Sequence, residues 1–188
     1  LQPDLVHFGM VQQPVLYTGK VVTTMHDLTT VRFRNPTKNR VAFTLKQLVY
    51  RWVNKRVARK SDAIIVPSLF VKDDVATYTR VNRGKITVTY EAADPMPAGS
   101  KPFGGLEGKS FIMYIGRPLP HKNLGRFLDA FILLKSQHPD LLLVLAGRKD
   151  AAYKIHEQRV KNEGIKDVIF TGYITDYQLR WMYEHCAV

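Results

Sequence analysis

Cysteine is almost absent from this chain: Cys186 is the only one. A single thiol can form neither an internal disulfide nor a multi-cysteine zinc site, and it fits a reducing cytosol. No apolar run approaches the ~18 residues that mark a membrane span. The opening residues lack a signal-peptide pattern, and there is no internal repeat or low-complexity tract. The sharpest lack is local. From Leu28 to Ser61 there is no Asp or Glu, yet that stretch holds Arg32, Arg34, Lys38, Arg40, Lys46, Arg51, Lys55, Arg56, Arg59 and Lys60. Most of the formal charge of +12 therefore sits in one segment. A concentrated basic block points to an anionic partner more strongly than a diffuse excess does.

What is present is ordinary for a chain with a real core: 188 residues, 45% hydrophobic. Apolar runs at 5–8, 21–26, 63–68, 85–90, 111–116, 141–147 and 168–173 read as strands. Several are continuous rather than alternating, as in parallel strands buried on both faces. Helical periodicity falls between them, at about 38–60, 69–80, 123–137, 151–163 and 176–187. Strand and helix in turn predict an α/β protein with parallel sheets. The rhythm breaks at 92–109, which holds three prolines and four glycines. The expected organisation is two incomplete Rossmann-like units, 1–94 and 107–188, joined by a linker at 95–106. An α/β domain usually needs ~100–200 residues. The chain also begins at Leu1, almost inside a strand, and stops as a helix meets another strand. The expectation is a piece of a longer protein.

The chemistry concentrates at strand ends. In "YIGRPLPHKNLGRFLDAF" a strand ends at Gly116, Arg117 follows, and Lys122 precedes Asn123, a favourable N-cap residue. Two cations at the already positive start of a helix repel it and each other unless an anion sits between them. Arg117 can grip a phosphate bidentately and Lys122 adds a point charge. This turn is neither a Walker A loop nor a Gly-x-Gly-x-x-Gly fingerprint. The plain alternative is a solvated basic loop. His26, in "TTMHDLTT", closes an apolar strand and could hydrogen-bond a substrate hydroxyl or phosphate, or simply be a capped structural histidine. His7, His138 and His185 read as structural. Asp73–Asp74 has the look of a metal-binding acidic pair, but its predicted place is the first turn of a helix, where acids suit the dipole. No metal site is expected. In the helix at 44–60, Leu45, Leu48, Val49, Trp52 and Val53 form an apolar stripe, with Lys46, Arg51, Lys55, Arg59 and Lys60 mostly off it. Such a helix packs on a sheet with a solvated outer face, or meets an anionic membrane surface through residues 32–60. Nucleic acid is not expected, because no recognised nucleic-acid motif accompanies the charge.

Taken together, His-Asp-Leu at 26–28, "SDAIIVPSLFVKDDV", a strand ending in "TYEAAD", "YIGR…KN", "LVLAG" and "VIFTGYITDYQL" resemble the large group 1 (family 4) of retaining glycosyltransferases. The resemblance covers nearly the whole chain. It implies the GT-B fold, with 1–94 as the later part of an acceptor-side domain and 107–188 as the early part of a nucleotide-sugar domain. By resemblance, Arg117 and Lys122 neutralise the donor diphosphate, and Gly116 admits it to the backbone. His26 reaches the transferred sugar as the catalytic-side residue. Gly172 and Tyr173 lie by the nucleobase. The implied activity is hexosyl transfer, of mannosyl or glucosyl type, with retention. The donor is GDP-mannose or a UDP-sugar, used as substrate with no cofactor, and the acceptor is a glycan or lipid-linked. The implied location is cytoplasmic, with peripheral attachment at the cytosolic face of a membrane. Glu91-Ala92 departs from the Asn-Gly common at that turn. The family's paired glutamates and early glycine-rich loop are not in these residues, so the segment alone is expected to be inactive. Two other readings stay open: a nucleotide-sugar epimerase of GT-B fold, and a non-catalytic basic module for anionic lipid or nucleic acid.

Overall fold

The computed structural model describes residues 3–33 and 40–188, without the side chains of 40–42. The cations Arg34, Lys38 and Arg40 of the basic block thus have side chains outside the described residues. The chain divides into two units, Leu1–Ala93 and Asp94–Val188.

The first unit is a four-stranded parallel sheet in the order β1 (Val6–Phe8), β2 (Val21–Thr24), β3 (Ala63–Val66) and β4 (Ile86–Val88). Among the described residues, three α-helices accompany it: α1 (Thr29–Arg32), α2 (Arg40–Lys60) and α3 (Leu69–Thr79). The core gathers Met25, Leu28, Val31, Ala58, Ile64, Val66, Val75 and Ile86. β-branched residues dominate the strands because they pack well on a pleated surface. Ser68 starts α3 by accepting from the Val71 N–H at 3.2 Å. The end of α2 is tied to the sheet by a buried polar pair, Ser61 Oγ and Thr23 Oγ1, 2.7 Å apart. Such a pair stabilises only because both hydroxyls are satisfied. Asp73 and Asp74 fall in the second turn of α3, not the first. Each is held by a cation, Asp73 by Arg83 at 2.6 Å and Asp74 by Arg32. They serve as salt-bridge partners, and the helix dipole does not explain them.

In the second unit β5 (Phe111–Ile115), β6 (Leu142–Ala146) and β7 (Val168–Gly172) form a parallel sheet in that order. The two-residue period of a strand sends alternate side chains to opposite faces. Leu143 and Leu145 pack with Leu128 and Phe131 of α4 (Leu124–Lys135) and Tyr153 of α5 (Ala151–Asn162). Val144 and Ala146 pack with Trp181 and Met182 of α6 (Asp176–His185). The stretch 95–106 lies with this unit. Phe103 and buried Leu106 join the α6 cluster, the Lys101 N–H donates to the Tyr177 carbonyl at 3.1 Å, and Arg180 Nη1 donates to the Pro97 carbonyl at 2.8 Å. All seven predicted strands and five predicted helices are present in an α/β architecture, with the four-residue α1 as an addition.

Candidate functional site

Beyond α6 the chain returns to the outer edge of β5. The Ala187 N–H donates to the Phe111 carbonyl at 2.8 Å, and the Met113 N–H donates to the Val188 carbonyl at 2.8 Å. β6 and β7 therefore extend from one side of β5 while the chain end runs along the other. That makes β5 a topological switch point, and ligands in open α/β sheets bind off the carboxyl end of such a strand. Gly116 and Arg117 occupy that end.

The tips of the three strands are built from glycine. Gly116 has φ +120, Gly147 +155 and Gly172 +73, all outside the range comfortable for other residues. The Gly116 N–H donates to the Ala146 carbonyl at 3.0 Å and the Gly147 N–H to the Gly172 carbonyl at 3.2 Å, so pairing continues across the tips. Buried Tyr153 reaches up from α5, with its hydroxyl 2.8 Å from the Gly116 carbonyl and 2.9 Å from that of Ala146. Burial pushes this phenol up, with Tyr114 and Asp150 adding to the effect, so it stays a proton donor. A Cβ on Gly116 would meet nothing within 4 Å, so the backbone there faces open space.

Arg117 is exposed and its Nε donates to Asp150 Oδ2 at 2.5 Å. The other oxygen of Asp150 accepts from the N–H groups of Ala152 (2.8 Å) and Tyr153 (3.2 Å), capping α5. One carboxylate thus fixes a helix start and an arginine 33 residues away in sequence. Partial burial pushes this carboxyl up, but the two backbone N–H groups and the Arg117 guanidinium outweigh it and hold Asp150 below its ordinary value. Because only Nε is engaged among the described residues, the four Nη hydrogens of Arg117 can meet an oxyanion. Lys122 is exposed at the end of a 3₁₀ turn, Pro120–Lys122, on the same loop. Asn123 does not cap α4: it is left-handed (φ 54, ψ 37) and its side chain makes no cap bond. It serves as the hinge between the 3₁₀ turn and the helix. Tyr173 is 84% exposed after β7. Arg148 and Lys149 add cations at the tip of β6, with Lys149 Nζ 3.4 Å from Glu157. The sequence reading gave no role to Gly147, Arg148, Asp150 or Tyr153. "AGRKD" repeats the strand-Gly-Arg pattern of "YIGR" and could have pointed to them.

A depressed carboxylate stabilises the fold above its unfolded pKa, and the contribution is lost as pH falls through the lower folded value. Stability is therefore expected to fall on acidification below about pH 4, and Asp150→Asn should make that acid limb shallower. Asp150→Ala should cost ~1 kcal/mol by loss of the cap. Thermal midpoints across pH measure both effects.

In the first unit His7, Thr24, His26, Val66, Tyr90 and Glu91 line a hollow of about 230 Å³ at the carboxyl ends of the strands. His26 is held by two acceptors, with Nδ1 3.1 Å from Glu91 Oε1 and Nε2 3.1 Å from the Gly9 carbonyl. Glu91, the departure from Asn-Gly, is therefore the partner of His26. His7 shares the hollow, with its Nε2 2.9 Å from Thr24 Oγ1. Residues 1–96 match the sequence model of Glycosyltransferase Family 4. The chain belongs to glycosyltransferase family 4. Residues 99–188 match the companion model, Glycosyl transferases group 1. Among curated family relatives, the uncharacterized glycosyltransferase YqgM of Bacillus subtilis (strain 168) is 32% identical over 145 residues, covering 74% of this chain and 38% of that protein. The O-antigen chain mannosyltransferase RfbU of Salmonella typhimurium is 22% identical over 140 residues, again 74% of this chain and 38% of the relative. The chain thus spans 38% of the length of each of these relatives. Anabaena Alr3699/HepE, solved with UDP and glucose, matches 86% of this chain and 44% of its own at TM-score 0.62 and 17% identity. TarM matches 86% of this chain and 30% of its own at TM-score 0.57 and 17% identity. These likenesses show the GT-B fold.

Proposed function

We propose that this family 4 chain carries the donor-diphosphate grip and the acceptor-side histidine of a hexosyltransferase. That enzyme, as a whole, moves a mannosyl or glucosyl unit from GDP-mannose or a UDP-sugar to a glycan or lipid-linked acceptor, with retention. One observation carries the reading: the reversal of strand order at β5, with Gly116 and Arg117 at its carboxyl end. Arg117 and Lys122 bind the diphosphate, and their charge counts most as the nucleoside diphosphate leaves, when negative charge builds on the bridging oxygen. Gly116 lets phosphate oxygens approach the backbone, and Tyr153 keeps that turn in place. Gly172 and Tyr173 border the base. His26, oriented by Glu91 at Nδ1, hydrogen-bonds the transferred sugar through Nε2 in exchange for the Gly9 carbonyl. HepE and the Staphylococcus aureus protein MnaA (TM-score 0.52) were each solved with UDP, which supports a nucleotide-sugar donor.

Calorimetric titration of UDP and GDP into the chain tests the reading. Saturable binding of either is expected, and double-stranded DNA should not displace it. Binding of neither nucleotide would refute the donor site. His26→Ala should leave nucleotide affinity within about twofold, because its contacts are in the first unit.

A further inference from the structure

The first half of α2 turns its apolar stripe outward. Leu45, Leu48, Val49 and Trp52 are exposed, with Trp52 at 57%, while Asn54, Val57 and Ala58 face the core. Continuing the same steps of three and four brings Lys55, Arg56 and Arg59 onto the outward arc, and these too are exposed. One surface therefore runs from apolar to cationic along ~21 Å of helix. Beside its apolar end, Val49, Tyr50 and Val53 border a hollow of about 670 Å³ closed by Gln12, Gln13 and Pro14. A contiguous outward apolar patch marks an interaction surface.

The charge pattern selects the partner. No carboxylate occurs between Leu28 and Ser61, so the patch suits a surface that is anionic and also accepts apolar side chains. A phosphate backbone is anionic but has no layer into which Leu45, Leu48 and Val49 could pass. An anionic leaflet supplies both, with acyl chains below and phosphates at the level of the Lys and Arg side chains. Trp52 stands at the boundary between the two halves, where an indole prefers the headgroup region. We propose that this face of α2 docks the protein on an anionic lipid leaflet, with Leu45, Leu48, Val49 and Trp52 below the headgroups and Lys55, Arg56 and Arg59 among them. The docking is independent of the donor site, since lipid and nucleotide binding are read separately.

Co-sedimentation of the full chain with vesicles of phosphatidylcholine, alone or with about one third phosphatidylglycerol, tests this. Partitioning at least ~10-fold stronger onto the anionic vesicles is expected, weakening as salt rises. Trp181 is buried, so a blue shift of tryptophan emission on binding reports Trp52. Lys55→Glu/Arg56→Glu/Arg59→Glu should lower partitioning about 100-fold or more. Leu48→Glu should abolish the blue shift while the circular dichroism stays native. Equal binding to neutral vesicles, or undiminished binding by the triple variant, would overturn the proposal. So would unfolding of the Leu48→Glu chain, or a dimer that dissociates on that substitution, because the stripe would then be covered by protein.

Discussion

Arg117→Ala is expected to weaken UDP or GDP binding roughly 10- to 150-fold, the 1.5–3 kcal/mol of a hydrogen bond to a charged group. The magnitude follows from what the side chain can do. Its Nε is tied to Asp150 at 2.5 Å, which restricts the guanidinium before any ligand arrives. A restrained fork loses less side-chain entropy on binding than a mobile one. Lys122→Ala should lose affinity in the same range. Neither substitution should move the thermal midpoint much, since the Arg117–Asp150 pair is partly exposed and such pairs contribute ~0–1 kcal/mol. Arg117→Lys separates charge from geometry: if bidentate contact matters, lysine restores only part of the affinity. Calorimetry on the three variants decides the matter. Wild-type affinity in Arg117→Ala would leave family membership intact but remove the diphosphate role of this turn.

Gly147→Ala should destabilise the second unit by ~2–5 kcal/mol, from a strained backbone and an overpacked contact together. The added Cβ would lie 2.7 Å from the Tyr153 hydroxyl and 2.9 Å from the Gly116 carbonyl, at φ +155. Neither neighbour can easily retreat, because the hydroxyl is hydrogen-bonded at the strand tips and the carbonyl belongs to the turn it pins. Gly116→Ala makes a good control. Its Cβ meets nothing within 4 Å, so only the backbone term applies. Urea denaturation of both variants should show the larger loss for Gly147. Adding Tyr153→Phe to Gly147→Ala should recover part of it, which a simple sum of the two changes would not predict. Nucleotide affinity should fall in Gly147→Ala even at temperatures where the chain stays folded, because the clash falls on the turn carrying Arg117. A Gly147→Ala chain as stable as wild type would show that the strand tips are not locked as described.

Much of this molecule was legible without coordinates. Strands and helices sit within a few residues of where apolar runs and periodicity put them, since both signals arise from residues close together in the chain. Gly116 and Arg117 could be read for the same reason: the end of an apolar run, a glycine and a cation are adjacent. Relations across the chain could not be read. Asp150 lies 33 residues from the arginine it holds, and only the pairing of β5 with β6 brings the two strand tips together. Gly147 looked like any turn glycine until Tyr153 filled the space where its side chain would go. Asn123 is a residue type that suits a cap, but it stands left-handed at the junction between a 3₁₀ turn and α4, a junction that spacing did not reveal.

The stripe on α2 draws the line most clearly. Spacing alone established that Leu45, Leu48, Val49 and Trp52 share one face of a helix, because 3.6 residues per turn is a property of the backbone. Spacing could not say which face meets the sheet. Tertiary packing decided that, through the small buried surface of Asn54, Val57 and Ala58 and the Ser61–Thr23 hydroxyl pair, and so left the larger apolar side chains in solvent. The sequence by itself determined the elements, their parallel α/β order and the cations at a strand tip. Only the folded chain decided which groups those cations face and which apolar surface remains uncovered. Periodicity is a local rule, whereas partnership depends on strand order and on volumes contributed by distant segments.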